Sequence, residues 1–164
     1  FLPGAFGRKQ MTQAARRGVK VRVIVGGVSD VPISRLAEQY MYRWLFRNKI
    51  RVFEYQDTVL HGKMATYDGI WVTDGSYNVN QISAYASVEL NIDVRNDAFA
   101  ACVEKELDEL IRDHCKEIIP EEYFRRTGPL KQLWQWGAYE IVRILFFLFT
   151  FYWRQEKESG PDRS

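Results

Sequence analysis

Val19-Lys-Val21-Arg-Val23-Ile-Val25 alternates with a period of two and then runs into Gly26-Gly27. That pattern predicts a strand, expected to be a central one, ending in a turn. Ile33, Leu36, Ala37, Tyr40, Met41, Trp44 and Leu45 then fall on one helical face. Ser29 or Asp30 is the expected cap of that helix, with Pro32 in its first turn. Ile50 to Tyr55 reads as a second strand. A strand, an amphipathic helix and a strand in direct succession need a sheet with helices layered on it, which is an α/β fold.

The rest of the chain keeps the alternation. Arg8 to Arg17 reads as a short helix stopped by Gly18, a residue that favours the left-handed C-terminal cap. His61 to Thr66 and Ile70 to Thr73 are predicted strands around a Tyr67-Asp68-Gly69 turn, and Asn78 to Ala84 a short helix. Val88 to Val94 is another strand. Asp97 is the expected cap of a long helix whose apolar stripe is Phe99, Val103, Leu107, Leu110, Ile111, His114 and Ile118, with Pro120 as its stop. The 164 residues, 46% of them apolar, fit one domain with a real core. A net charge of +2 is too balanced to argue for nucleic acid as the main partner. Cys102 and Cys115 lack metal-ligand spacing and read as reduced core or semi-core thiols. No cofactor is expected.

Between His61 and Glu89 lies a set of polar groups suited to phosphoryl transfer through a histidine. His61 and Lys63 are alternate residues of the predicted strand and therefore project together into one pocket. Gly75 permits close backbone approach, and Ser76 and Asn78 follow it at an expected helix entrance, a good place for an anion. Lys63, Ser76 and Asn78 are therefore the candidate phosphate ligands. His61 is the candidate nucleophile or general acid, because imidazole changes charge near neutral pH. Such a histidine needs its other ring nitrogen held, and Glu89 on a neighbouring strand is the candidate holder. Asp68 belongs to the same candidate catalytic set but is expected to brace the turn rather than touch substrate.

At these positions the chain resembles the phospholipase D superfamily. The signature His-x-Lys-x4-Asp-x6-Gly-Ser-x-Asn is met by His61, Lys63, Asp68, Gly75, Ser76 and Asn78, and Glu89 sits where the family places the orienting carboxylate. Ala14 to Val23, Tyr40, Arg51 to Gln56 and Val88 to Asn91 look like the C-terminal half of bacterial cardiolipin synthases. The resemblance implies one α/β/α half, with a mixed sheet, of a two-motif pseudodimer. It implies a phosphatidyltransferase that forms cardiolipin from phosphatidylglycerol through a phosphatidyl-histidine intermediate, with no metal. It also implies a bacterial membrane surface on the cytoplasmic side as the place of action. Alternatives are a phospholipase D-type hydrolase, a single-motif nuclease acting as a homodimer, or a non-catalytic membrane-binding module. Only one motif is present, so a missing N-terminal half or a second copy is expected to complete the site. The lack of an initiator Met favours a fragment. Family members often carry Arg-Ser where this chain has Ile82-Ser83.

The last stretch is of another kind. Leu130, Leu133, Trp134, Gly137, Ile141, Ile144, Leu145 and Leu148 form a stripe opposed by Lys131, Gln132, Gln135, Glu140 and Arg143. From Ile144 every face is apolar up to Tyr152-Trp153-Arg154. That part is too short to cross hydrocarbon about 30 Å thick. An interfacial or re-entrant helix is expected, with packing on the domain or a partner as the alternative. The implied division is a catalytic half-domain at 1–120, a membrane-associating helix at 121–154 and a disordered tail at 155–164. Arg16-Arg17 are expected to be solvated, and Arg125-Arg126 to be solvated or near lipid headgroups.

Overall fold

The computed structural model describes residues 1–80 and 88–158, with side chains described up to residue 149. In chain order the elements are α1 (Ala5–Arg16), β1 (Arg22–Val28), α2 (Pro32–Arg47), β2 (Arg51–Val59), β3 (Met64–Tyr67) and β4 (Trp71–Gly75). There follow β5 (Asn91–Arg95), α3 (Asp97–His114), β6 (Cys115–Glu117), α4 (Pro120–Arg126) and α5 (Pro129–Glu158). The mixed α/β expectation holds. The strands form two three-stranded sheets, β1-β2-β6 and β3-β4-β5. β1 runs parallel to β2, and β6 antiparallel to it. Among the described residues β2, not β1, is therefore the central strand. The hairpin sheet is antiparallel throughout.

The main core lies between α2 and the first sheet: Val23, Val25, Tyr42, Leu45, Ile50 and Val52. Tyr42 is fully buried, so its hydroxyl needs partners. It donates to Glu54 Oε1 (2.8 Å) and accepts from Arg35 Nη1 (2.7 Å). Arg35 also pairs with Glu54 and with Glu38. Burial, more than any neighbour, pushes the Tyr42 hydroxyl far above its ordinary pKa and keeps it neutral. The predicted α2 stripe was rotated. Ala37, Glu38, Met41, Tyr42 and Leu45 are buried, whereas Tyr40 and Trp44 are only half-buried.

Several local expectations are corrected. Val31, not Ser29 or Asp30, occupies the α2 cap, because the Ser29 hydroxyl is turned to Val31 N–H in a tight local turn. Asn96 rather than Asp97 caps α3, its side chain accepting from Phe99 N–H at 2.9 Å. α3 stops at His114 because the next three residues pair with β2 (Phe53 with Glu117, Tyr55 with Cys115). Pro120 opens α4 instead of closing α3. His114 is not a core residue. Its side chain is 48% exposed and its Nδ1 lies 2.5 Å from Asp57 Oδ2. Cys102 is exposed and Cys115 intermediate. Desolvation, then Asp57, raises the Cys115 thiol pKa.

α5 lies on α2, but not by its most apolar stripe. Gln135, Ala138 and Val142 are buried there. Gln135 donates to the Tyr123 hydroxyl at 2.8 Å, which in turn donates to Gln39 O at 3.1 Å. Leu130, Leu133, Trp134, Ile141, Ile144, Leu145 and Leu148 stay exposed. Among the described residues no helix is long and apolar enough to cross a membrane. The backbone of α5 is helical through Glu158, four residues into the expected tail. Residues 159–164 and the side chains of Tyr152, Trp153 and Arg154 lie outside the described residues.

Candidate functional site

The hairpin register decides which predicted residues meet. Met64 pairs with Asp74, and Gly75 pairs with Asn91. The start of β3, the end of β4 and the start of β5 therefore share one end of the sheet. His61-Gly62-Lys63 enters that end, Ser76-Tyr77-Asn78 leaves it, and Glu89-Leu90 approaches it. Asp68 is at the opposite end, roughly 14 Å away at ~3.4 Å per strand residue. There Asp68 and Gly69 both take left-handed φ (48° and 64°), and Ile70 N–H closes the turn on Tyr67 O at 3.0 Å. Two successive positive φ values are what a type I′ hairpin turn requires. Asp68 thus stands in the turn, remote from the other five.

Three expectations about local conformation are corrected. His61 and Lys63 precede β3 rather than lying on it. The shared-face argument from strand alternation therefore does not apply to them. Ser76 to Asn80 is not helical, and residues 81–84, the rest of the expected helix, lie outside the described residues, as do Ile82 and Ser83. Glu89 precedes β5 instead of lying on a strand.

The polar contacts at this sheet end are close. Ser76 N–H donates to Leu90 O (3.0 Å), and Leu90 N–H donates to Ser76 Oγ (3.0 Å). The Ser76 hydroxyl donates to Glu89 Oε2 at 2.5 Å, a charge-assisted bond. Tyr77 N–H donates to Asn91 Oδ1 at 3.1 Å, and Asn91 Nδ2 reaches Thr73 Oγ1 at 3.3 Å. Gly75 lets β5 come this near: a Cβ there would sit 2.2 Å from Leu90 O and 2.5 Å from Asn91 Oδ1. Its close approach is to Leu90 and to Asn91, the first residue of β5. His61 is exposed, and the half-buried Lys63 donates its ammonium to His61 O at 3.0 Å.

Two residues outside the predicted set hold this arrangement. Asn91 ties the Ser76–Asn78 segment to β5, and its place opposite a glycine in the register is the signal. Glu104 on α3 accepts Gly69 N–H at 2.7 Å and fixes the far end of the hairpin. No local pattern in the sequence announces that bond, which spans 35 residues. The sheet end as a whole offers an exposed imidazole, an ammonium, a hydroxyl, an amide and a carboxylate. Those groups can hold phosphoryl oxygens and exchange a proton.

Residues 1–111 match the family described as cardiolipin synthase, PLD-like domain. The chain belongs to that family. Cardiolipin synthase B of Salmonella typhi is 34% identical over 151 residues, covering 92% of this chain and 35% of that protein. Cardiolipin synthase A of Serratia proteamaculans is 29% identical over 156 residues, covering 92% of this chain and 29% of its own length. The chain thus spans about a third of the length of the curated relatives it matches. Among solved structures, phosphatidylserine synthase of Haemophilus influenzae superposes with a TM-score of 0.64 at 17% identity, covering 92% of this chain and 39% of that one. A phospholipase D family member, Nuc, from Salmonella typhimurium gives 0.57 at 15% identity, covering 71% and 76%. Both likenesses concern the fold.

Proposed function

We propose that this chain is one half of a phosphatidyltransferase of the cardiolipin synthase kind, with His61, Lys63, Ser76, Asn78 and Glu89 as its contribution to the site. The supporting observation is that the segments carrying these five enter or leave one end of the hairpin sheet, in a chain of this family. In the proposed reaction one imidazole nitrogen attacks the phosphorus of phosphatidylglycerol. A P–N bond forms, the P–O bond to glycerol breaks, and the leaving oxygen takes a proton from a second histidine. The hydroxyl of a second lipid then attacks, its proton returns to that histidine, and the P–N bond breaks. His61 takes one of these two roles. Lys63, Ser76 and Asn78 stabilise the phosphoryl oxygens. Glu89 is the proposed partner of the charged ring.

The second histidine belongs to the missing half or to a second copy. Exposed apolar residues beside the site support this: Val88 is fully exposed, Leu90 is 74% exposed and Ile92 63%. A neighbouring half would cover them. A phospholipase D-type phosphodiester hydrolase, or a single-motif nuclease acting as a homodimer, is the second reading; it accords with a likeness in fold over 76% of the Nuc chain. Membrane association through residues 121–154, peripheral and on the cytoplasmic side, completes the proposal. Its support is the exposed stripe of α5. The test is His61→Ala in the full-length enzyme, assayed for cardiolipin formation from labelled phosphatidylglycerol. A loss of about a thousandfold or more with an unchanged melting curve is expected. Cardiolipin formation within a factor of a few of wild type overturns the assignment.

A further inference from the structure

Outside the candidate site, three arginines line one cavity. It is a half-open cavity of about 310 Å³, lined by Arg8, Tyr40, Met41, Arg43, Trp44 and Arg47. Five of these lie on α2, and four of the five, Tyr40, Arg43, Trp44 and Arg47, have the spacing that puts them on one helical face. α1 supplies Arg8, and Thr12 of α1 accepts the Trp44 indole N–H at 3.2 Å, which fixes one wall. α5 reaches the same place: Arg8 Nη1 donates to the Tyr139 hydroxyl at 3.0 Å, and the Tyr139 ring lies 4.8 Å from that of Tyr40. Arg43 stacks over Phe124, its Cζ 5.8 Å from the ring centroid, which leaves its in-plane N–H donors available.

The charge balance here is one-sided. No carboxylate lines the cavity. Among the described residues no ion pair involves Arg8, Arg43 or Arg47, whereas Arg22, Arg35, Arg51, Arg112, Arg126 and Arg143 each have an acidic partner. Guanidinium groups match phosphate oxygens two at a time, and three of them in one concavity call for an anion. The volume is at the lower end of the usual range for small-molecule sites, roughly 300–1,000 Å³, with room for more than a bare ion. Trp44 and Tyr40 supply apolar walls beside the cations.

The geometry points to a second anion site, on α1 and α2, that takes the phosphate group of a phosphate ester. It does not depend on the histidine reading, since no residue of the hairpin sheet lines it. The test uses the full chain in a Lys63→Ala background, so that the cationic one of the three candidate phosphate ligands beside the hairpin sheet is removed. Two probes are titrated by calorimetry: inorganic phosphate, and a soluble short-chain phosphatidylglycerol. Adding Arg43→Gln with Arg47→Gln is expected to weaken binding at least tenfold, and Arg47→Gln alone, at an exposed position, at least threefold with an unchanged melting curve. Binding of both probes, lost in the variants, supports the site and makes the phosphate alone sufficient. Binding of the lipid only, lost in the variants, supports it and makes the headgroup ester the ligand. No binding of either probe, or equal binding with and without the arginines, overturns it.

Discussion

Gly75 has no room for a methyl group. A Cβ there would meet Leu90 O at 2.2 Å, Asn91 Oδ1 at 2.5 Å and Asn91 Cα at 2.7 Å, and two of those atoms are backbone. Backbone cannot rotate aside as a side-chain end can, so β5 must move. Gly75→Ala is therefore expected to cost about 1–3 kcal/mol, in line with other overpacked sites. It should also raise amide exchange at Ser76 and Tyr77, read by hydrogen exchange against a urea melt. Unchanged stability and exchange would show that the strands are not held this closely. By contrast, a Cβ at Gly62 meets nothing within 4 Å, so Gly62→Ala serves as the control.

At the level of elements, β6 shows what local sequence misses. Asp97 to Ile118 carries one helical period throughout, yet Cys115–Glu117 leaves the helix to pair with β2. Strand hydrogen bonds from a distant element outweigh a local preference worth tenths of a kcal/mol per residue. The bidentate pair Arg51–Glu117, with both contacts at 2.8 Å, fastens the junction. That hydrogen bonding, chiefly, holds the Glu117 carboxyl below its ordinary pKa. A lowered carboxyl pKa means that the pair's stabilisation is present at neutral pH and fades as pH falls through the lowered value. Both side chains are substantially exposed, so the effect is about 0.5 kcal/mol or less. Glu117→Gln should flatten the acid side of the stability–pH curve, measured by urea unfolding from pH 6 to pH 3. An unaltered curve would refute this. The α2 stripe fails for a related reason: periodicity cannot tell the core from a cavity wall, so Tyr40 and Trp44 read as core while Tyr42, satisfied by Arg35 and Glu54, was overlooked. The candidate residues themselves were legible, because their spacing is local. Their gathering depends on the β4–β5 register, which is not.

On the scale of the whole molecule, the long C-terminal helix has two distinct faces. Val142 and Ala138 are buried on α2, while Ile141 (49% exposed) and Ile144 (52%) point elsewhere. Removing residues 130–164 would uncover Ala37 and so confound membrane binding with unfolding. Replacing Ile141 and Ile144 together by Glu separates the two. Stability should change by about 0.5 kcal/mol or less per site, as for other surface positions. Sedimentation with phosphatidylglycerol vesicles should fall at least tenfold. Full retention of sedimentation would exclude this face as the anchor. At the hairpin sheet, the Ser76 hydroxyl has a single hydrogen, given to Glu89. On the proposed reading of this site, a phosphate that took this hydrogen would take it from Glu89, so the carboxylate and the incoming anion would compete for one donor. Under that reading the serine serves the side chain or the ligand, one at a time.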